Sequence, residues 1–169
     1  SQRVGAGTVA LGLAVGAYRN ALEFAKEREQ FGRPIAEFQG LQWMLADMSV
    51  QIEAARSLLH KAALSAGQNG SPFPDPTLAA QGKIFTSEMA LKVTNDALQM
   101  FGARGYSRNY PMERLARDAR MFTIGGGTAQ ILRTVVASRI LEMKLPQTRE
   151  GFLQMAEREA SKKSLQAAE

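Results

Sequence analysis

EFQGLQWMLADMSVQIEAARSLLHKAALSA, residues 37 to 66, settles the fold class. Phe38, Leu41, Leu45, Met48, Ile52, Ala55 and Leu59 alternate steps of three and four residues without a break. That period belongs to a helix with one apolar seam and not to a strand, whose side chains alternate every two residues. No proline interrupts the run.

Working outward, Leu11, Val15, Tyr18, Leu22 and Ala25 repeat the same spacing upstream. That segment meets Gly32 and, two residues on, Pro34, which reads as a helix C-terminus. The first two helices are therefore expected to form an antiparallel pair. Downstream, NGSPFPDPT from Asn69 to Thr77 is the strongest breaker in the chain, and Asp75 followed by Pro76 reads as an N-cap with proline in the first helical position. A third helix is expected from there to about Phe101, with an exit turn in the glycines of FGARGYSRNYP. A short helix from Met112 to Phe122 follows, and a last core helix from Thr128 to about Met143 through Ile131, Val135, Val136, Ile140 and Leu141. Alternating β patterns are almost absent. The reading is an all-α, four-helix up-and-down bundle over residues 1–145, with a charged C-terminal tail over 146–169. The tail is read as peripheral or disordered, with an amphipathic helix through Phe152, Met155 and Ala156 as the alternative.

Composition narrows the chemistry. The 169 residues suit one domain with one core, and zero cysteines remove disulfides and thiolate metal sites. A single histidine, His60, argues against a histidine metal cluster or a Ser-His-Asp triad. This usage accords with a reducing, cytoplasmic compartment. No stretch reaches the length of a membrane span, and glycine and arginine break up the first twenty residues too often for a signal peptide. The missing initiator methionine suggests a processed or excised piece. A net charge of +5 is spread along the chain and so points only weakly to acidic partners; a phosphorylated cofactor would suffice.

Three helix boundaries carry the candidate chemistry: KEREQFGRPIAEFQ at 26–39, QMFGARGY at 99–106 and TIGGGTAQILR at 123–133. Each sets arginine, glutamine or threonine beside glycine, where side-chain donors and free backbone N–H groups meet a phosphate or a heteroaromatic edge. Capping and solvated charge explain any one of them. Three together on a basic helical domain point to a nucleotide-like ligand.

Five motifs in order resemble the C-terminal helical domain of the acyl-CoA dehydrogenases, over about Gln2 to Leu141. They are R-x-Q-F-G-x-P-I-x-x-F-Q from Arg28 to Gln39, LADM at 45–48, Q-x-x-G-x-x-G-Y from Gln99 to Tyr106, PMERLARDAR at 111–120 and GTAQILR at 127–133. The resemblance implies a flavoenzyme acting on an acyl-CoA thioester, with FAD held between subunits of a homodimer or homotetramer. An electron acceptor such as electron-transfer flavoprotein would complete it. Arg28, Gln39, Gln99, Gly102 and Ala103 match FAD-contacting positions, usually facing a neighbouring subunit; Ala103 stands where glycine is usual. Thr128 and Gln130 match residues that reach the flavin, Arg3 a CoA-side arginine, and Gly126 and Gly127 the substrate-contacting turn.

The same resemblance exposes two vacancies. Most relatives read E-G-T where this chain reads Gly126-Gly127-Thr128, and that glutamate removes the α-proton of the thioester. A minority carries the base just before the arginine matching Arg3, where this chain has Gln2, an amide without useful basicity. The catalytic residue is thus unknown. Glu27 and Glu113 are read as structural: Glu113 belongs to the family's own P-x-E-R pattern. A reaction that needs no strong base is the alternative, for example loss of a β-sulfinate, since relatives that desulfinate a sulfinopropionyl thioester also lack the glutamate. Enoyl-CoA reduction is a further option, and a pure assembly role another. One branch of the family binds DNA through a basic C-terminal region, but here Glu157 and Glu159 mix with Lys162 and Lys163, so nucleic acid is not the expected partner. Trp43 and the eight methionines are read as core packing, and His60 as a surface residue.

Overall fold

The computed structural model describes residues 2–68, 70–146 and 149–166. Asn69 of the predicted breaker, and residues 147, 148 and 167–169 of the tail, lie outside them. The chain is all-α: α1 (Gln2–Glu27), α2 (Gln39–Leu64), α3 (Pro76–Phe101), α4 (Ala103–Tyr106), α5 (Met112–Met121), α6 (Ala129–Ile140) and α7 (Arg149–Gln166). The two strands, β1 (Glu29–Gln30) and β2 (Arg33–Pro34), form a minimal antiparallel hairpin between α1 and α2.

Helix α3 is the hub, packing on α1, α2, α5 and α6. Leu59, late in α2, lies against Gly7 near the start of α1, so these two helices run antiparallel as their spacing predicts. Phe24 and Phe101 stack at 4.0 Å between the last turns of α1 and α3, so those two helices are parallel. What lets them approach is small residues. The buried face of α1 is Gly7, Ala10, Ala14, Ala17, Ala21 and Ala25 with Leu11. Against it α3 buries Ala90, Val93 and Ala97 in the same core. Of the large residues predicted to line α1, only Leu11 is fully buried, while Val15, Tyr18 and Leu22 flank the seam. Alanine wins because helices in close contact have no room between them for long side chains.

Local signals explain the boundaries, with one correction. Asp75 Oδ1 accepts hydrogen bonds from the N–H groups of Thr77 (2.9 Å) and Leu78 (2.8 Å), capping α3 as predicted. Thr128 Oγ1 accepts from Ile131 N–H at 3.2 Å and caps α6. Gly32, however, does not close α1. The helix stops at Glu27, and Phe31 (φ 54°) and Gly32 (φ 75°) form the two-residue turn of the hairpin. Two successive positive φ values match the right-handed twist of paired strands, which is why this sequence turns instead of continuing as helix.

Two further expectations change. Trp43 is 62% exposed and so is not core packing; among the methionines Met48, Met89, Met100 and Met112 are buried. Helix α6 buries Ala129 and Leu132, whereas Ile131 and Ile140 are 52% and 70% exposed. It meets the bundle through α3 alone among its close helix contacts, so Val135 and Val136 stay half-buried. Ile84, Phe85, Leu58, Val136 and Ile140 thereby line an open apolar groove of about 460 Å³. The Arg133–Glu88 ion pair, 2.7 Å, crosses from α6 to α3 at its edge. Helix α7 leaves Phe152 and Leu153 exposed.

Two measurements check this packing. A Cβ on Gly105 would meet the Leu98 carbonyl oxygen at 2.5 Å, so Gly105→Ala should lower stability by about 1–3 kcal/mol in urea titration. Gly12, mid-helix with nothing within 4 Å, should gain up to about 1 kcal/mol as Gly12→Ala. The hydrogen bond from Arg133 lowers the Glu88 pKa below its ordinary 4.5. A lowered carboxylate pKa stabilises the fold above the unfolded value and loses that contribution as pH falls through the folded one. Both partners are about half exposed, so the gap between wild type and Glu88→Gln should stay under about 1 kcal/mol at neutral pH. It should close in melts run progressively below pH 4.5.

Candidate functional site

The glycine run forms a loop between α5 and α6. Gly125 N–H donates to the Met121 carbonyl at 2.7 Å, and Ala129 N–H reaches back to the Thr123 carbonyl at 3.0 Å. Gly126 (φ 70°) and Gly127 (φ 92°) then turn the chain through the left-handed region. The N–H groups of Gly126, Gly127, Thr128 and Gln130 meet no acceptor among the described residues. They lie at the positive end of the α6 dipole.

Beside the loop lies a pocket of about 390 Å³ lined by Gln2, Arg3, Phe73, Pro74, Pro76, Ala79 and Gly126. Two of the three predicted substrate residues, Arg3 and Gly126, thus share one cavity, although they are far apart in sequence. So do the two positions expected to carry a base, Gln2 and Gly126. Neither position can accept a proton usefully at neutral pH, and among the described residues the pocket lining includes no carboxylate or histidine. Beneath the loop, the side chain of Lys83 is fully buried and its Nζ donates to the Gly127 carbonyl at 2.7 Å. Burial and, secondarily, the Arg3 guanidinium lower the Lys83 pKa from its ordinary value. Arg3 and Lys83 are thus close enough for their charges to act on one another.

The remaining predicted residues gather at the other end. Arg28 follows α1, with its carbonyl accepting from Ile35 N–H at 2.8 Å. Gln39 opens α2; Gln99 lies in the last turn of α3; Gly102 (φ 58°) breaks that helix and Ala103 opens α4. Gln39, Gln99, Gly102 and Ala103 are all exposed. Aromatic contacts knit this end: Arg104 lies over Phe24 at 5.8 Å, Arg33 over Phe38 at 4.5 Å, and Phe101 meets Tyr110 edge-on at 5.7 Å. The 26 residues of α1 separate the two ends by roughly 39 Å at 1.5 Å per residue. One bundle therefore does not present the two sets of residues to the same small ligand.

Residues 1–141 match the acyl-CoA dehydrogenase C-terminal domain. The chain belongs to the acyl-CoA dehydrogenase family. Over 153 residues it is 69% identical to the 3-sulfinopropanoyl-CoA desulfinase of Cupriavidus necator, covering 90% of this chain and 38% of that protein. Among solved structures it is similar to the butyryl-CoA dehydrogenase of Megasphaera elsdenii, with a TM-score of 0.77 and 43% identity over 82% of this chain and 36% of that one. An FAD complex of PigA matches with a TM-score of 0.73 at 27% identity, covering 79% and 34%. The chain thus spans under two-fifths of the length of the curated relatives it matches.

Lysine 83 was not singled out by the sequence. Its one signal is position: it lies among Ala79, Ala80, Gly82, Thr86, Ser87 and Ala90, all buried on α3. A charged residue in the middle of a small-residue stripe is the mark of a buried functional or positioning group, since lysine is almost never fully buried without a partner. No helix among the described residues is long and apolar enough to cross a membrane.

The loop conformation has its own test. Nothing lies within 4 Å of a Cβ added at Gly126, so the obstacle to a side chain there is φ alone. Gly126→Ala should destabilise by about 1–2 kcal/mol and Gly126→Asn by less, because asparagine tolerates the left-handed region; chemical denaturation of both variants checks this.

Proposed function

We propose that this bundle forms one wall of the active cleft in an FAD-containing flavoprotein that processes a short acyl-CoA thioester without a protein base at either customary seat, and that its reaction is desulfination of a 3-sulfinoacyl-CoA. The observation that carries the reading is the shared pocket: Gln2, Arg3 and Gly126 line one cavity, so both vacancies fall where the thioester would lie. The identity to named desulfinases supports it, at 69% and 66%.

The chemistry balances without an external acceptor. The bond between the β-carbon and sulfur breaks, the β-carbon takes a proton, and with one water the products are propanoyl-CoA and hydrogen sulfite. Such a substrate already carries its leaving group, so removal of the α-proton by a strong base is not required. The protein's part is binding, orientation and charge. Arg3, on the pocket wall, and Lys83, behind the loop, supply positive charge for an anionic substrate.

The residues also fit an FAD group. At the loop end, Thr128, Gln130 and free N–H groups of the α6 start offer donors. At the far end, half-buried Arg28 and exposed Gln39, Gln99 and Ala103 lie beside a helix terminus, with open space at the Gly102 backbone. When bound, FAD would supply a flat, redox-active surface beside the acyl chain. Because the two ends are so far apart, one flavin would take loop-end contacts from one copy and far-end contacts from another, which requires a homodimer or homotetramer. The uncovered groove along α3 and α6 is a further surface for such assembly. Within this reading residues 1–145 are the catalytic-wall domain and 146–169 an appended segment, and a cytoplasmic location suits the cysteine-free chain.

The second reading is α,β-dehydrogenation with transfer to an electron-transfer flavoprotein, the base entering from a part of the protein beyond this bundle. It is favoured by the likeness to butyryl-CoA dehydrogenase. One experiment separates the two. The full-length flavoprotein mixed with 3-sulfinopropanoyl-CoA should release sulfite with no added acceptor, while butanoyl-CoA should leave the flavin absorbance unbleached. Rapid bleaching by several saturated thioesters, with no sulfite from the sulfinate, would reverse the assignment.

A further inference from the structure

A loop of three glycines has many accessible conformations, because residues without a Cβ populate positive and negative φ alike. In this protein one conformer is selected, and the contact that reaches it from outside its own segment is the Lys83 ammonium, 44 residues away in sequence. Its Nζ lies 2.7 Å from the Gly127 carbonyl oxygen, on a side chain with no solvent exposure. A trans peptide is planar, so the carbonyl of one residue and the N–H of the next point in opposite directions. Drawing the Gly127 carbonyl inward therefore sends the Thr128 N–H outward, away from the core. Consistently, that N–H meets no acceptor among the described residues, although Thr128 itself is ordered as the cap of α6.

We propose that Lys83 is a positioning residue: it locks the Gly125–Thr128 loop so that the outward N–H of Thr128 presents a donor to an oxygen of the bound ligand, either a flavin phosphate or ribityl oxygen or the thioester carbonyl. Arg3 is a second cation near the loop. It lines the pocket next to Gly126 and its charge acts on Lys83, so both cations bear on the same short segment. The ammonium also stabilises the partial negative charge of the carbonyl it holds, a charge-assisted bond that a neutral side chain would weaken. This inference rests on the flavin and thioester reading above.

The test uses the full-length flavoprotein and two substitutions, Lys83→Met, which keeps the volume and deletes the donor, and Lys83→Gln, which keeps a donor without charge. Flavin affinity is measured by reconstitution of the apoprotein, and the affinities for propanoyl-CoA and free CoA are measured by calorimetry. Lys83→Met should weaken either FAD, or propanoyl-CoA relative to CoA, by about tenfold, with Lys83→Gln in between. Loss confined to FAD assigns the N–H to the flavin; loss confined to propanoyl-CoA assigns it to the thioester carbonyl. Unchanged affinities in a folded Lys83→Met protein overturn the proposal. Should that variant not fold, Thr128→Pro, which deletes the N–H at a φ of −58° that proline accepts, is compared with Thr128→Ala, which keeps it. Equal affinities in this second pair would overturn the proposal as well. If wild type binds neither FAD nor propanoyl-CoA, the proposed function fails, a result distinct from wild type binding both and the variants binding equally well.

Discussion

Close contact between α1 and α3 is the constraint on which the rest of the molecule depends. Alanine at positions 10, 14, 17, 21 and 25 and its counterparts on α3 permit a near approach over the whole length of both helices. Because the two run parallel, their starts come together at one end and their finishes at the other. Arg3 is thereby brought to the neighbourhood of Lys83, and Phe24 to Phe101. A larger residue in the seam would part the helices and, with them, the first turn of α1 from the glycine loop. Packing in the middle of the bundle thus sets electrostatics at its end.

At that end the usual division of labour between backbone and side chains is reversed. The loop contributes no ionisable group, only amide N–H donors at a helix start, while the charge comes from a lysine behind it and an arginine beside it. A buried ammonium is costly to desolvate, and it persists where a carbonyl dipole and a tightly packed stripe hold it. Glycine at 126 and 127 is what allows a backbone carbonyl to reach that ammonium, since both residues sit at positive φ. The same conformation disfavours a side chain at 126.

The far end is built differently, from exposed glutamines, an arginine and a helix broken at Gly102, held on an aromatic platform. Separation of the two ends along α1 gives the bundle two distinct faces of chemistry. Apolar surface left uncovered on α3 and α6 adds a third feature that a solitary bundle does not satisfy, because an open groove lined by Ile84, Phe85 and Ile140 keeps apolar area in water.

Periodicity and breaker residues were enough to read the helical class, the antiparallel α1–α2 pair, the Asp75 cap and the start of the last core helix near Thr128, because those signals act between residues a few positions apart. The family motifs likewise marked Arg3, Gly126 and Gly127, and the absence of a carboxylate at Gln2 and Gly126 is a matter of residue identity alone. Other features could not be read this way. The hairpin at Phe31 and Gly32 used a glycine that equally suits a helix end, and the outward face of α6 carries apolar residues indistinguishable by spacing from a buried one. Lys83 carried only the signal of its place in a small-residue stripe, which does not say what its ammonium meets. Which helix face is covered, and which distant carbonyl a lysine meets, follow from how whole helices dock. Those contacts join residues dozens of positions apart, and nothing local in the chain encodes them.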